Sequence, residues 1–207
     1  MKRCLLSLLI MTLGYVTAVA QTKQGKWSAG LQVDPFSLSR KSFPKELFTR
    51  TTPTISYFLG RHFEAGLGMP ITYAKDEVML NKQLAYRRTL SSIGFSPFMR
   101  IYFGPGKFQP YVGFSYAYAA SRHRSQYGEV DTLPPARKGH ANVWRGSLGF
   151  NYFIKPNIGI NVGVNRNWSK FKTDMDQWPF YFWYQENKTT FTLGVQLLFG
   201  GKAKVEN

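Results

Sequence analysis

The sequence predicts an all-β protein: an eight-stranded antiparallel up-and-down β-barrel that crosses a membrane. Eight segments alternate apolar with small or polar residues, which is the period of a strand with two different faces. The connections between these segments are alternately short and long, as in a meander that closes on itself. Beyond the amino terminus the sequence has no long apolar run of the kind that forms a spanning helix.

Residues 1–20 have the features of a cleaved secretory signal. Lys2 and Arg3 precede an apolar run, and Ala18-Val19-Ala20 provides small side chains for cleavage. An anchoring helix is the less favoured alternative, because polar residues interrupt the run and a membrane span needs about 20 apolar residues. The single cysteine, Cys4, lies in this segment, so no intramolecular disulfide is expected in the mature chain.

The sequence is strongly basic, which indicates an anionic partner. Its formal net charge is +16 and its pI is about 10.0, and removal of Lys2 and Arg3 takes the charge from +16 to +14. Nucleic acid is the usual partner of such a chain. An exported protein instead meets lipopolysaccharide phosphates and acidic surface sugars, so we expect no nucleic acid.

The first four predicted strands each set large apolar residues against small or polar ones. A long connection over 34–50 follows the first strand, a short turn at 60–62 follows the second, and a charged connection over 75–88 follows the third. The apolar faces are formed by Trp27, Ala29, Leu31 and Val33; by Ile55, Tyr57 and Leu59; by Phe63, Ala65, Leu67, Met69, Ile71 and Tyr73; and by Ile93, Phe95, Pro97, Met99, Ile101 and Phe103.

The last four strands repeat the pattern after a Gly-Pro-Gly-Lys turn at 104–107. Long connections over 121–141 and 167–188 follow the fifth and seventh strands, and a short turn at 155–157 follows the sixth. Leu198 is the exception on the polar face of the eighth strand. The apolar faces are formed by Val112, Phe114, Tyr116 and Tyr118; by Trp144, Leu148, Phe150, Tyr152 and Ile154; by Ile158, Ile160, Val162 and Val164; and by Phe191, Leu193, Val195, Leu197 and Phe199.

The polar faces distinguish a membrane barrel from a soluble one. They consist mainly of Gly, Ser, Thr and Asn, which are too small and too weakly charged for a surface in water but suit a narrow lumen. The alternative is a periplasmic carrier of an apolar ligand, since Gly25-Lys26-Trp27 resembles the Gly-x-Trp of lipocalins. The export signal and the strand pattern favour the membrane barrel, with short turns in the periplasm and long connections outside.

Four residues of the last strand, Thr192, Gly194, Leu197 and Phe199, fit the pattern polar-x-Gly-x-x-apolar-x-aromatic. This pattern resembles the terminal signal by which the barrel-assembly machinery recognises outer-membrane barrels. Over residues 25–199 the chain resembles the small eight-stranded barrels of the OmpX and OmpA transmembrane type, a group that includes the outer-membrane β-barrel domain proteins of Bacteroidetes. The resemblance implies a monomeric barrel in the outer membrane of a Gram-negative bacterium.

The predicted organisation is a signal at 1–20, a barrel at 21–199 and a short periplasmic polar tail at 200–207. The interior of an eight-stranded barrel is just wide enough to be filled by side chains, so no diffusion pore is expected. Within the lumen, Glu64 and Arg100 lie toward the periplasmic ends of neighbouring strands and are predicted to form an ion pair. A structural role is favoured over an ion relay, because a lone buried charge would be costly.

Basic residues are frequent in the predicted outer connections. Bidentate contacts from Arg to phosphate would hold lipopolysaccharide or acidic surface ligands, and a solvated surface without a specific ligand is the alternative. An aromatic stretch at 178–184 either binds a ligand or lies at the membrane boundary, and the second interpretation is favoured. The candidate anion-binding residues are Arg87, Arg88, Arg122, Arg124, Arg137 and Lys138.

An enzymatic alternative rests on His123 and Ser125, with Glu129 close by. This set resembles the His-x-Ser and acidic residue of the outer-membrane lipid A deacylase, in which a Ser nucleophile needs a His base and a carboxylate. The flanking motif of that family is absent, and strand parity puts His123 and Ser125 on the lumen side, whereas the deacylase site faces lipid. We therefore predict a non-enzymatic protein without cofactor or metal, with a structural or surface-interaction role.

Overall fold

The structure is a computed structural model that describes residues 25–34, 37–38, 46–80, 83–104, 106–127, 136–173 and 188–200. None of these ranges contains a helix that is long and apolar enough to cross a membrane. The strands within them are β1 (Trp27–Asp34), β2 (Ser37–Leu38), β3 (Glu46–Phe58), β4 (Phe63–Gly68), β5 (Ile71–Leu80), β6 (Gln83–Tyr102), β7 (Phe108–Tyr127), β8 (Arg137–Lys155), β9 (Ile158–Thr173) and β10 (Lys188–Phe199).

The sheet closes on itself because β1 pairs with both β3 and β10. Every pairing is antiparallel, and β3 is followed around the sheet by β4 and β5, then by β6 to β10 in chain order. The short strand β2 continues the position of β1 and pairs with β10. The barrel therefore has eight strand positions, and the predicted fold class is confirmed. Closure leaves no unpaired strand edge in the wall.

A second of the eight positions is shared by two strands, β4 and β5, which the sequence predicted as a single strand. Both pair with β3 on one side and with β6 on the other. The break falls at Met69 and Pro70, where proline has no N–H to give to a ladder. The backbone groups there are still satisfied: Met69 N donates to the carbonyl of Pro53 at 2.9 Å, and the carbonyl of Pro70 accepts from Gly94 N at 3.1 Å.

The two faces of the wall have opposite polarity. Large apolar side chains point outward, with Leu148 63% exposed and Phe95 55% exposed, while polar residues such as Asn151 and Gln109 are fully buried inside. A membrane barrel has this arrangement, because its outer face meets lipid. The lipocalin-like alternative requires the reverse arrangement and does not fit the structure.

The four longest strands are much longer than a membrane crossing requires. β6 and β7 have 20 residues each, β8 has 19 and β9 has 16, whereas a tilted membrane strand needs about 9–11. The predicted connections over 75–88 and 121–141 are therefore too long, because β5 and β6 pair over 75–80 and 83–88 of the first, and β7 and β8 extend over 121–127 and 137–141 of the second. Beyond the lipid both faces of a strand meet water, so the alternation disappears from the sequence while the backbone pairing continues.

The lumen is filled at the end of the barrel that carries the short turns. Five side chains pack there as one buried cluster, which we call the basal plug. The ring centroids of Phe58 and Tyr102 are 5.8 Å apart, and those of Tyr102 and Tyr111 are 5.7 Å apart. Leu198 belongs to the cluster, which explains the one apolar residue on the polar face of the last strand. The basal plug consists of Phe58, Tyr102, Tyr111, Phe153 and Leu198.

Candidate functional site

The lower lumen contains the predicted Glu64–Arg100 pair. Glu64 on β4 and Arg100 on β6 are directly opposite each other in the strand register. Arg100 Nη1 lies 3.6 Å from Glu64 Oε2, and the two side chains are only 11% and 1% exposed. The guanidinium also lies over the rings of Phe98 and Tyr111, at 4.9 and 5.1 Å from their centroids. The structure thus places the two residues together in a buried part of the barrel.

Neutral hydrogen-bond donors complete the surroundings of the Glu64 carboxylate. Ser56 Oγ donates to Oε1 at 2.5 Å, Gln196 Nε2 donates to Oε1 at 2.9 Å, and the Tyr102 hydroxyl donates to Oε2 at 2.6 Å. A buried carboxylate needs such partners because it has lost its water. Since the donors come from β3, β6 and β10, this one side chain links distant parts of the wall.

Amide side chains extend the same network across the barrel. Asn161 Nδ2 donates to Asn151 Oδ1 at 2.8 Å, and Asn151 Nδ2 donates to Gln196 Oε1 and, at 3.3 Å, to the Tyr102 hydroxyl. Gln196 Nε2 also donates to Ser28 Oγ at 2.7 Å. With the basal plug beside it, this network fills the base of the lumen over the described residues.

A second charged cluster lies in the middle of the lumen and is centred on Asp34. This carboxylate is 2% exposed; Arg145 Nη2 donates to its Oδ2 at 3.1 Å, and Arg50 Nη1 lies 3.8 Å from the same oxygen. Thr192 donates to Oδ1. Asn167 Oδ1 accepts from Arg145 Nε at 2.9 Å and from Arg50 Nη1 at 3.3 Å, so the two guanidinium groups share both partners.

The sequence analysis missed most of this cluster. Asp34 and Arg50 lie at the two ends of the predicted 34–50 connection, whereas the structure puts them within the sheet, at the end of β1 and inside β3, directly opposite each other. The sequence did indicate a lumen position for Asp34, because this residue continues the series Ser28, Gly30 and Gln32 on the lumen face of β1.

Two adjoining cavities lie above the base, in the part of the lumen that the structure describes. The upper cavity has about 900 Å³ of atom-free space, including its mouth, and its lining includes Arg50, Arg145 and Lys188. The middle cavity has about 370 Å³ and reaches down to Arg100. Arg145 lines both cavities, so it lies at their junction. Small side chains such as Ser115 line this part of the lumen, whereas Tyr and Phe fill the base.

Basic side chains form a patch on the outer face of the strands, beyond the lipid-facing belt. Arg122 on β7 is directly opposite Lys138 on β8, and Arg124 lies two residues further along β7. All three side chains are exposed, and we call them the outer basic patch. Tyr118 on β7 and Trp144 on β8 lie on the same face, closer than the patch to the end with the short turns, and are 43% and 48% exposed.

The other candidate anion-binding residues have different positions. Arg137 is exposed but lies opposite His123, on the alternate face of its strand. Arg87 is half-buried and lies opposite Glu77 and Gln126. The side chain of Arg88 and the stretch at 178–184 lie outside what the structure describes. The prediction that the candidates occupy loops is wrong, because all six lie on strands β6, β7 and β8.

The residues of the enzymatic alternative are not assembled into a described site. His123 lies opposite Leu90 and Arg137, and Ser125 is exposed opposite Arg88. Glu129 lies outside the described residues. In the part of the chain that the structure covers, no group of three or more His, Cys, Asp or Glu side chains is suited to a metal ion.

The four residues of the predicted assembly signal occupy both faces of β10. Thr192 is buried in the lumen, while Leu197 and Phe199 point outward, 47% and 48% exposed. Gly194 lies at a close approach of two strands, since a Cβ there would lie 2.8 Å from the carbonyl oxygen of Leu31. The two outward residues therefore remain accessible on the surface of the strand that closes the barrel.

Comparison with known proteins gives one family match. The model of the outer membrane protein beta-barrel domain matches residues 6–199, a range that includes all ten strands. No curated protein matches the chain. Similar solved structures include the N-terminal β-barrel domain of OprF from Pseudomonas aeruginosa, with 13% identity, coverage of 85% of this chain and 98% of that chain, and a TM-score of 0.42.

Two further structures show the same level of similarity. Neisserial surface protein A is 17% identical, with coverage of 85% of this chain and 98% of that chain and a TM-score of 0.45. Ail of Yersinia pestis, in complex with the heparin analogue sucrose octasulfate, is 13% identical, with coverage of 85% and 99% and a TM-score of 0.48.

Proposed function

Because the chain belongs to the family of outer membrane protein β-barrel domains, and is therefore a protein of the bacterial outer membrane, we propose that it serves there in surface interaction. In this proposal the outer basic patch binds the phosphate groups of lipopolysaccharide. The barrel carries no diffusion pore and performs no catalysis. It is a monomer, which the barrel-assembly machinery inserts after recognising the last strand.

The pairing of Arg122 with Lys138 is the observation that supports this proposal most directly. Residues directly opposite on neighbouring antiparallel strands have Cβ atoms about 4.5–5.5 Å apart, and like charges in such positions repel. The sheet places these two cations opposite each other on its outer face, with a third, Arg124, on the same face. An anion bound between them would remove the repulsion.

The position of the patch fits a lipid phosphate. Tyr118 and Trp144 mark the boundary of the apolar belt, as aromatic girdles do in membrane barrels. The patch follows them toward the outside, at the level where lipopolysaccharide carries its phosphates. A guanidinium holds a phosphate through two parallel N–H···O bonds, and Lys adds a point charge.

The absence of a diffusion pore is supported by the base of the lumen. Phe58, Phe153 and Asn151 are fully buried there, and the Glu64 carboxylate is bound from three further strands. An aqueous channel would leave such side chains in contact with water.

Binding of labelled lipopolysaccharide to the folded barrel in detergent, followed by fluorescence anisotropy, tests the proposal. The variant Arg122→Gln, Arg124→Gln, Lys138→Gln removes the patch. We expect its affinity to fall at least tenfold and its dependence on salt to weaken, because screened charge contacts have been lost.

The matched control removes three cations from the end with the short turns, through Arg61→Gln, Lys107→Gln and Lys155→Gln. This variant has the same net charge as the patch variant, so it reveals any nonspecific effect of charge, and we expect its affinity to stay within twofold of the wild type. Dephosphorylated lipopolysaccharide should bind weakly to the wild type. Equal affinities of the patch variant and the control would contradict the proposal.

A further inference from the structure

We propose that the upper cavity is a binding site for a small organic carboxylate with a short apolar chain, held by Arg145 and Arg50. This site lies in the lumen and shares no residue with the outer basic patch, so it is a second function, independent of lipopolysaccharide binding.

The charges around the upper cavity favour an anion. Its described lining includes the cations Arg50, Arg145 and Lys188 and no acidic residue. The nearby carboxylate, Asp34, is 2% exposed and contacts both guanidinium groups. Asp34 is shared by the two guanidinium groups, and the described residues that line the cavity are otherwise neutral or cationic, so an incoming carboxylate is attracted to the cavity.

Both guanidinium groups are held in place before any ligand arrives. Arg145 donates through Nε to Asn167 and through Nη2 to Asp34, at 2.9 and 3.1 Å. Arg50 donates through Nε to Thr72 at 3.2 Å and through Nη1 to Asn167 at 3.3 Å. A guanidinium has five N–H donors, so the bonds of Arg145 to Asn167 and Asp34 involve only part of its capacity. Fixed donors bind more tightly because less conformational entropy is lost on binding.

The side chains that line the cavity indicate what the ligand carries besides its carboxylate. Leu90, Val143 and Ala119 form an apolar side, and they are 8%, 8% and 6% exposed. An apolar chain fits against these residues when its carboxylate reaches the guanidinium groups. The narrow interior of an eight-stranded barrel limits the chain to a few carbons. The cavity exists because Ala and Ser occupy this level of the lumen, whereas Tyr and Phe occupy the base.

Because the base of the lumen is filled, the site is closed on the side of the short turns. Between the middle cavity and the short turns lie Arg100, Glu64 and the basal plug, all nearly inaccessible to solvent. A carboxylate that enters the lumen from outside therefore binds and leaves by the same route.

Fluorine NMR of the full chain, folded in detergent micelles, tests the proposal with trifluorobutyrate as the probe. The line width of the probe reports its bound fraction during a titration. We expect saturable binding of trifluorobutyrate and at least tenfold weaker binding of trifluorobutyramide, which has the same shape without the charge. Equal binding of the two probes, or no saturable binding, would overturn the proposal.

Two variants locate the site. Arg145→Gln should weaken binding at least tenfold, while Arg166→Gln removes an exposed cation from the outer face of β9 and should leave binding unchanged. Ala141→Leu narrows the upper cavity without changing any charge and should also weaken binding at least tenfold. Gel mobility with and without boiling shows whether Arg145→Gln folds. If it does not fold, the Ala141→Leu variant tests the proposal, and unchanged binding in that variant would refute the assignment.

Discussion

Arg145 Nη2 and Asp34 Oδ2 lie 3.1 Å apart although 111 residues separate them in the chain. Their strands, β8 and β1, are not neighbours in the sheet, since β9 and β10 lie between them. The pair therefore crosses the lumen. A contact of this kind forms only when the barrel has closed, so it stabilises the closed wall against opening.

Asp34→Asn should destabilise the barrel by about 3–5 kcal/mol, the usual cost of removing one partner from a buried ion pair. The substitution leaves the Arg50 and Arg145 guanidinium groups close together without their carboxylate. Urea unfolding in detergent, followed by tryptophan fluorescence, gives the free energy of unfolding. Arg166→Gln, an exposed control, should change it by no more than about 0.5 kcal/mol. Similar values for the two variants would show that the cluster contributes little.

The Glu64–Arg100 pair should show a non-additive pattern. Arg100→Met alone leaves a buried carboxylate with neutral donors only, and it should cost more than the double variant Glu64→Gln, Arg100→Met, in which no buried charge remains. The same urea unfolding assay measures the free energies of unfolding of the wild type, of Arg100→Met and of the double variant. A double variant that is less stable than Arg100→Met would argue that the pair itself contributes favourable energy.

Phe199→Ala should lower the amount of assembled barrel in the outer membrane several-fold, if the last strand is the assembly signal. Phe199 is 48% exposed on the outer face of β10, and Phe103, 36% exposed near the same end of the barrel, offers a matched control. The ratio of folded to unfolded protein in outer-membrane fractions, from gel mobility with and without boiling, measures assembly. Equal losses in Phe199→Ala and Phe103→Ala would point to lost lipid contacts instead.

The wild-type barrel should show no stepwise ion conductance in a planar bilayer. The double variant Tyr102→Ala, Tyr111→Ala removes two rings of the basal plug and should introduce small conductance steps. Tyr118→Ala, which removes an outward-facing ring, is the control and should remain silent. Stepwise conductance of the wild type would contradict the proposal that the barrel carries no pore.

The alternation in the sequence was sufficient to predict the architecture, because each strand of a membrane barrel separates lipid from lumen over the part that crosses the membrane. The outward position of Leu193, Val195 and Leu197 follows directly from that rule. The rule does not apply to segments beyond the lipid, where both faces of a strand meet water. The paired strand segments at 83–88, 121–127 and 137–141 therefore resembled connections, and the candidate basic residues on them were placed in loops.

The lumen was predicted only in part. Glu64 and Arg100 could be paired because they lie on consecutive predicted strands with compatible positions. Asp34 and Arg145 could not, since their contact crosses the barrel and depends on the stagger of strands that are not neighbours. The upper cavity was equally beyond reach, because it depends on which small side chains share a level in the closed barrel.

The long strands β6 and β7 set the height of the protein above the bilayer. A strand of 20 residues, rising about 3.3 Å per residue and tilted by about 40°, spans about 50 Å along the membrane normal. The apolar band of such barrels is about 25 Å tall. The remaining height is hydrogen-bonded sheet outside the apolar band. Because this part is paired sheet, it holds the tips of these strands at a fixed distance from the bilayer.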